Sequence, residues 1–264
     1  MHILALSDTF PNRFHPWRGP YNRRQFECLR AHCEITVIDP IPFPDLLRGA
    51  EAWRLRGQAD TALQGIPIHH PVFWYLPVAG RGDLWRGLLA AAERALRGPA
   101  QGQYDLVVAT FAYPHGEAAR RLSQRLGIPY VIKARGSDLH ALVPGSGRAA
   151  KTAAAVREAA AIVAVSRNLA EIARELGAPA DRVHVLPNGI DAKMFALVPR
   201  EEARRQMGAP ADRKVVVFVG NLLPVKGVDI LLDALALLKE GEGAAPMAFL
   251  IGEGPMRGAL IRRI

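Results

Sequence analysis

The chain has 264 residues, 50% of them hydrophobic and 22% charged, a balance that excludes a disordered or collagen-like polypeptide and allows a sizeable core. Its 34 Lys and Arg against 25 Asp and Glu give a net charge of +9, which favours anionic partners without choosing among nucleic acid, phosphorylated metabolites and acidic membranes. The two cysteines, Cys28 and Cys33, match neither a CxxC pair nor a zinc site and are expected to be buried, reduced thiols.

The opening run, Met1-His2-Ile3-Leu4-Ala5-Leu6-Ser7-Asp8, has no basic leader or cleavage site and reads as a buried strand of a cytoplasmic protein. No apolar stretch approaches the ~18 residues of a membrane-spanning helix. After the strand at residues 3–6, the pattern predicts a helix over 21–32 and a strand at 35–38. Residues 39–97, rich in Pro, Trp and Arg, are less regular: a short strand within 65–71, then a helix over 83–96. A clean rhythm follows, with strands at 105–109, 130–132, 161–165 and 183–186 and a helix over 116–126 closed by Gly127. Asn168 and Glu171 fit a capping box for a helix ending near Gly177.

This strand–loop–helix succession predicts an α/β fold with a mainly parallel sheet. A polar helix over 201–207 suits a connector. A second α/β unit then opens with a strand at 214–219. It continues with a helix carrying Val228, Leu231, Leu232, Leu235 and Leu238 on one face and a strand at 247–251. The expected division is 1–197 and 198–264. Two strands and about one and a half helices cannot close a doubly wound sheet, so the second unit should leave an apolar edge bare and the chain reads as a fragment.

The most informative segment is Phe218-Val219-Gly220-Asn221-Leu222-Leu223-Pro224-Val225-Lys226-Gly227-Val228-Asp229. A strand ends in glycine, a loop carries one lysine, and a helix starts. Helix N-termini offer unpaired N–H groups and a partial positive charge to a phosphate. Lys226 adds a mobile cation able to pair with a diphosphate, and the amides of Gly227 and Val228 lie beside it. The competing reading is a glycine turn with a solvated lysine. The next strand ends in Gly252-Glu253-Gly254-Pro255-Met256, where glycine permits close approach and Pro255 suits a first helical turn. Open α/β sheets bind ligands at that edge.

Three loops of the first half also fall at carboxyl ends of strands. Residues 8–21 hold Gly19 among Arg13, His15, Arg18, Arg23 and Arg24. The others are Tyr113-Pro114-His115-Gly116 and Lys133-Ala134-Arg135-Gly136-Ser137-Asp138-Leu139-His140. A solvated basic loop, a helix cap and an Asx-type turn are their competing readings.

Together these segments resemble glycosyltransferase family 4, retaining enzymes of the GT-B fold. The resemblance rests on Gly-Ile-Pro-Tyr-Val with Arg-Gly-Ser-Asp (127–138), Val-Ser-Arg-Asn-Leu (165–169) and Leu-Pro-Asn-Gly-Ile-Asp (186–191) followed by Phe195. Val-Gly-Asn-Leu (219–222) with Lys226-Gly227, and Gly-Glu-Gly-Pro (252–255), complete the set in the family's order. It implies two Rossmann-like domains facing a cleft, with the acceptor on the N-terminal one and a nucleotide-sugar on the C-terminal one. Lys226 matches the family lysine for the donor diphosphate, with Gly220, Gly227, Gly252, Gly254 and Pro255 around it. Asn221 stands where an arginine is usual and supplies hydrogen bonds without charge. Gly19 matches the glycine-rich first loop.

Arg135 replaces a histidine common before Gly-x-Asp and becomes a candidate to orient a phosphate or an anionic sugar. His115 is the second catalytic candidate, and Gly136 and Asp138 belong to the acceptor side. Residues 187–191 are expected to shape the interdomain region. The implied partners are a nucleotide-sugar co-substrate and a glycan or lipid-linked saccharide, as in surface polysaccharide biosynthesis. No metal, other cofactor or nucleic acid is implied. The family's donor-site glutamate motif has no counterpart before Ile264, so a catalytically inactive interaction module is the alternative.

A nicotinamide enzyme would need Gly-x-Gly-x-x-Gly after the first strand, and a P-loop kinase Gly-Lys-Ser/Thr; neither is present. Nucleic-acid binding rests on net charge alone. Trp53, Arg54, Arg56, Trp74, Tyr75, Trp85 and Arg86 form a candidate patch for peripheral membrane contact, with buried aromatics beside a basic face as the competing reading.

Overall fold

Apolar runs of four or five residues become the strands, and the amphipathic stretches between them become helices packed on both faces. The computed structural model describes residues 1–10, 19–46, 65–74, 83–142, 144–240 and 246–264. Contacts divide the chain into Met1–Gly189 and Ile190–Ile264, a border ahead of the residue 197 expected from the connector.

In chain order the first unit holds β1 (His2–Leu6), α1 (Pro20–Leu29), β2 (Glu34–Ile38), β3 (Ile41–Pro42), α2 (Phe43–Leu46), β4 (Ile68–His69) and β5 (Val72–Phe73). There follow α3 (Leu84–Leu96), β6 (Leu106–Ala109), α4 (His115–Leu126), β7 (Tyr130–Ala134) and α5 (Ser137–His140). The unit ends with α6 (Gly147–Glu158), β8 (Ala161–Ala164), α7 (Arg167–Glu175) and β9 (Val183–Val185). Seven strands form one parallel sheet in the order β4-β2-β1-β6-β7-β8-β9, and β3 pairs with β5 apart from it.

Alternate residues of each strand feed opposite layers. Leu4, Leu6, Val107, Ile132 and Ile162 meet Leu88, Leu122 and Leu169 of α3, α4 and α7 on one face. Ile3, Ala5, Ile35 and Val37 meet Phe10 and Phe26 on the other. A parallel sheet covered on both faces is the expected α/β architecture.

Several local expectations change. The cap of α7 is Ser166, whose Oγ accepts from the Leu169 amide at 3.3 Å; helix begins at Arg167, so Asn168 is already inside its first turn. Cys28 is exposed and Cys33 partly buried, both as free thiols, because α1 turns Asn22 and Phe26 inward and Cys28 outward. Of the residues of the aromatic basic patch, Trp85 is buried in the core with Arg86 5.2 Å from its ring. Trp74 is exposed and stacks on Phe43, whereas Trp53, Arg54, Arg56 and Tyr75 lie outside the described residues. Among the described residues no helix is long and apolar enough to cross a membrane.

The second unit holds α8 (Arg200–Met207), β10 (Val215–Val219), α9 (Val228–Glu240), β11 (Met247–Ile251) and α10 (Arg257–Ile261). β10 and β11 pair in parallel, and Leu222, Val228 and Leu260 make a small core with Phe218, Leu232 and Leu250 against it. Val217, Val219 and Ile251 are exposed, which is the bare apolar surface expected of so small a sheet. Leu238 is exposed as well, outside the buried face of α9 where periodicity placed it.

In the first unit a charged network ties α4 to α6. Buried Glu117 accepts from Arg120 Nε at 2.7 Å and Arg121 Nε at 3.0 Å, and Arg120 Nη1 reaches both carboxylate oxygens of Glu158 at 3.0 Å. Hydrogen bonding to Glu117 raises the Arg120 pKa. Removing one member of a buried pair strands the other's charge at a cost of about 3 kcal/mol. Glu117→Gln should therefore lower the urea midpoint by an amount of that order with an unchanged m-value, and an unmoved midpoint would show the network to be energetically neutral.

Candidate functional site

The chain runs from β1 outward to β2 and β4, then returns to the other flank of β1 as β6. The topological switch therefore falls between β1 and β6, the place beyond whose carboxyl strand ends open α/β sheets bind ligands. Ser7 to Thr9 follow β1, Thr110 to Tyr113 follow β6, and Arg135 to Asp138 follow β7. Thr110 donates from both its amide and its hydroxyl to Leu6 O at 3.1 Å, which locks the two loop starts together.

Gly19 caps α1 with φ +56°, and a Cβ there would stand 2.0 Å from Thr9 O. Glycine is thus required by the chain's own backbone, whatever ligand approaches the loop. The close approach seats Asn22, whose Nδ2 donates to Thr9 O at 3.0 Å and Ser7 Oγ at 3.2 Å while its Oδ1 accepts from Arg135 Nη1. Of the basic residues in this region, Arg23 pairs with Glu27 at 2.6 Å, and Arg13, His15 and Arg18 lie outside the described residues.

Asp138 was expected on the acceptor side. Its carboxylate is buried and committed to backbone: Oδ2 accepts from the Ala112 amide at 2.8 Å, and Oδ1 from those of Arg135 at 3.1 Å and Gly136 at 2.8 Å. It binds the β6 and β7 loops to each other. Gly136 precedes α5 with φ +143° and open space where a side chain would stand. His115, the second catalytic candidate, is wholly buried at the start of α4, with Nε2 3.9 Å from Asp8 Oδ1 and its ring 5.6 Å from that of Phe111. The imidazole is sealed within the first unit, and among the described residues neither ring nitrogen is hydrogen-bonded there.

Arg135 is partly exposed, its guanidinium carbon 5.8 Å from the ring centre of Tyr21 and 5.9 Å from that of Phe111. Burial lowers its pKa, opposed by the charges of Asp138 and Tyr21. Sequence reasoning missed its neighbour Lys133, only 7% exposed, whose ammonium donates to Gln25 Oε1. Burial, helped by the charge of Arg135, brings the Lys133 amine down to about 8. The available signal was a lysine inside the otherwise apolar run Tyr130-Val131-Ile132-Lys133-Ala134.

The second unit carries the glycine–lysine corner by itself. Gly220 donates to Ile251 O at 3.0 Å and Leu222 to Glu253 O at 2.9 Å, so the loops after β10 and β11 extend the strand pairing. A Cβ on Gly252 would fall 1.9 Å from Gly220 O, and one on Gly254 2.5 Å from Leu222 O. Asn221 is exposed beside them. Pro255 precedes the α10 cap, Met256, and so lies outside the first turn predicted for it.

Pro224–Lys226 form a 3-10 turn with Lys226 exposed at its end, and Gly227 follows at φ +63°. The Gly227 amide, expected to face a ligand, donates to Pro224 O at 3.0 Å, and the helix amides begin with Val228. Asp229 occupies the first turn of α9, where the helix dipole favours a carboxylate. Among the described residues no three His, Cys, Asp or Glu side chains converge as a metal site.

The Lys133 burial has a pH signature. Below about pH 8 the folded chain holds a poorly solvated ammonium, and unfolding relieves it. Between about 8 and 10.5 the unfolded chain binds more protons than the folded one, so stability rises with pH across that window. Lys133→Met should therefore be more stable than the parent at pH 7, by up to about 3 kcal/mol, with the advantage fading by pH 10.5. Urea titrations across this range check it; a pH-independent difference would place the amine at its ordinary pKa.

Residues 19–189 match the family described as Glycosyl transferase 4-like domain, and residues 199–264 match Glycosyl transferases group 1. The chain is 31% identical over 274 residues to TuaC of Bacillus subtilis (strain 168), assigned to teichuronic acid biosynthesis as a glycosyltransferase, covering 100% of this chain and 68% of that protein. It is 33% identical over 203 residues to a D-inositol 3-phosphate glycosyltransferase of Catenulispora acidiphila, covering 74% of this chain and 48% of that one. The chain thus spans from about half to about two thirds of the length of these relatives. Among solved structures, Anabaena HepE in complex with UDP-glucose matches with a TM-score of 0.64 at 21% identity, over 100% of this chain and 65% of its own. Sucrose-phosphate synthase from Thermosynechococcus elongatus matches with a TM-score of 0.70 at 17% identity, over 96% of this chain and 62% of its own. At such identities the structures speak to the fold, which is of the GT-B class. From the two family matches and the TuaC relationship, the chain belongs to the glycosyltransferases that join a glycosyl transferase 4-like domain to a group 1 domain.

Proposed function

We propose that this chain serves in transferring a glycosyl residue from a nucleotide-sugar to a hydroxyl of a glycan or lipid-linked saccharide, with retained anomeric configuration, in surface polysaccharide synthesis. The observation that carries the reading is the corner at Gly220–Val228, where a glycine-bounded loop delivers one exposed ammonium to the start of a 13-residue helix. Family membership and the occurrence of UDP-glucose in HepE support a nucleotide-sugar as the ligand of such a corner. The names of TuaC and the inositol phosphate enzyme support a saccharide or polyol acceptor.

In this reaction the bond from the anomeric carbon to the diphosphate oxygen breaks, and its electron pair leaves on the diphosphate. The acceptor oxygen forms the new bond and gives its proton to the departing phosphate. The protein's part is to hold the substrates in place and to stabilise the charge developing on the leaving group. Lys226 and the first amides of α9 do the latter, with the Gly252 to Pro255 loop beside them in the same unit. Asn221 contributes hydrogen bonds without charge, so Lys226 carries most of the electrostatic share. The reading uses no cofactor beyond the sugar nucleotide and no metal.

Thermal melting with a panel of nucleoside diphosphates and their sugars tests the assignment. A donor at a hundred times its Kd should stabilise by about 2.7 kcal/mol and raise the Tm measurably. Lys226→Ala should weaken that donor at least about tenfold, equivalent to about 1.4 kcal/mol. A variant that keeps the full shift, or a parent protein that responds to no member of the panel, would overturn the site.

A further inference from the structure

We infer that Lys133 and Arg135 form an oxyanion subsite in the first unit, built for a single phosphate or carboxylate carried by the saccharide substrate. Lys133 lies in β7 and Arg135 one residue beyond its carboxyl end, and both side chains reach α1. Opposite them on α1, Asn22 and Gln25 are three apart and share a helix face. Each cation meets one amide oxygen, Lys133 that of Gln25 and Arg135 that of Asn22. An amide oxygen accepts a hydrogen bond and neutralises nothing.

The missing compensation is specific to this place. Arg120, the other strongly buried cation of the same unit, is matched by Glu117 and Glu158. Among the described residues neither Lys133 nor Arg135 has a carboxylate in ion-pair range. The nearby acid, Asp138, has both oxygens turned to backbone N–H groups. Two charges are thus held together at low exposure against their mutual repulsion, an arrangement that costs stability and that a bound anion would relieve.

Access and shape agree with a small ligand. Tyr21, 51% exposed, borders the guanidinium, and Arg135 itself reaches solvent. The rings of Tyr21 and Phe111 hold Arg135 by cation–π contact and leave its charge intact. A planar guanidinium beside a point-charge ammonium suits one oxyanion with two or three acceptor oxygens. A nucleic-acid backbone would need a row of exposed cations, and this pair is recessed.

The subsite stands on the first unit alone and rests on the transferase reading only for the molecule that carries the anion. The test is side-chain ¹⁵N NMR of the labelled chain, with Arg135 Nε and Lys133 Nζ assigned by Arg135→Gln and Lys133→Gln. Inorganic phosphate, D-glucuronate and D-glucose are titrated at constant ionic strength set with chloride. Saturable movement of both signals with phosphate, glucuronate or both, and none with glucose or chloride, is the expected result; which anion acts identifies the source. Each single substitution should weaken the anion at least about tenfold, as read from the remaining signal. Lys226→Ala should leave this binding unchanged, so loss of the donor response at Lys226 and loss of the response here are separate failures. Signals unmoved by either anion, or moved equally by glucose, would overturn the subsite.

Discussion

The carboxylate of Asp138 takes hydrogen bonds from the amides of Ala112, Arg135 and Gly136, and the ends of β6 and β7 are held to each other through it. Much of the loop arrangement at this sheet edge follows from that anchoring. With its backbone fixed, Arg135 reaches Asn22; Asn22 in turn fastens α1 to Ser7 and Thr9 after β1. Three loops from three strands and the start of one helix therefore share a polar lattice with an anion at its base. A buried carboxylate that accepts several backbone N–H groups is well compensated without any cationic side chain.

Two kinds of buried cation stand side by side in this unit. Arg120 is enclosed by carboxylates and joins helices. Lys133 and Arg135 are hydrogen-bonded by neutral amides, and the one carboxylate acting on Arg135, that of Asp138, is itself bound to backbone amides. Since each ion enters the interior at a desolvation cost, a fold with no use for the surplus has an easy remedy in a single acidic side chain on α1. Its absence at Asn22 and Gln25 sets this edge of the sheet apart from the α4–α6 contact, where the remedy was adopted.

The parallel fold was legible because burial on both sides of a sheet demands unbroken apolar runs, and 106–109 and 161–165 are such runs. The strand ends of the second unit were legible for similar reasons, since glycine, proline and lysine mark them locally. What stayed hidden is set by pairs distant in sequence. Gly19 reads as room for a ligand, yet its first neighbour is Thr9 O; Gly252 reads the same way, yet Gly220 O fills the space. His115 beside proline and glycine reads as an open loop residue and is sealed within the unit. Lys133 reads as an ordinary strand-end lysine until Gln25, more than a hundred residues earlier, is seen to hold it. The α7 cap was misplaced because Ser166 and Asn168 are both good capping residues, and only the geometry chooses between them.

The glycines after β10 and β11 lie so close that neither loop has clearance to slide over the other. Mechanically the pair behaves as a rivet: a force applied on the Gly220 side is borne at once on the Gly254 side, without a flexible spacer to absorb it. Evolution can therefore lengthen or recolour the outward-facing positions, Asn221 and Glu253 among them, while the riveted backbone keeps its shape. Chemical variety at this corner is confined to side chains that point away from the seam.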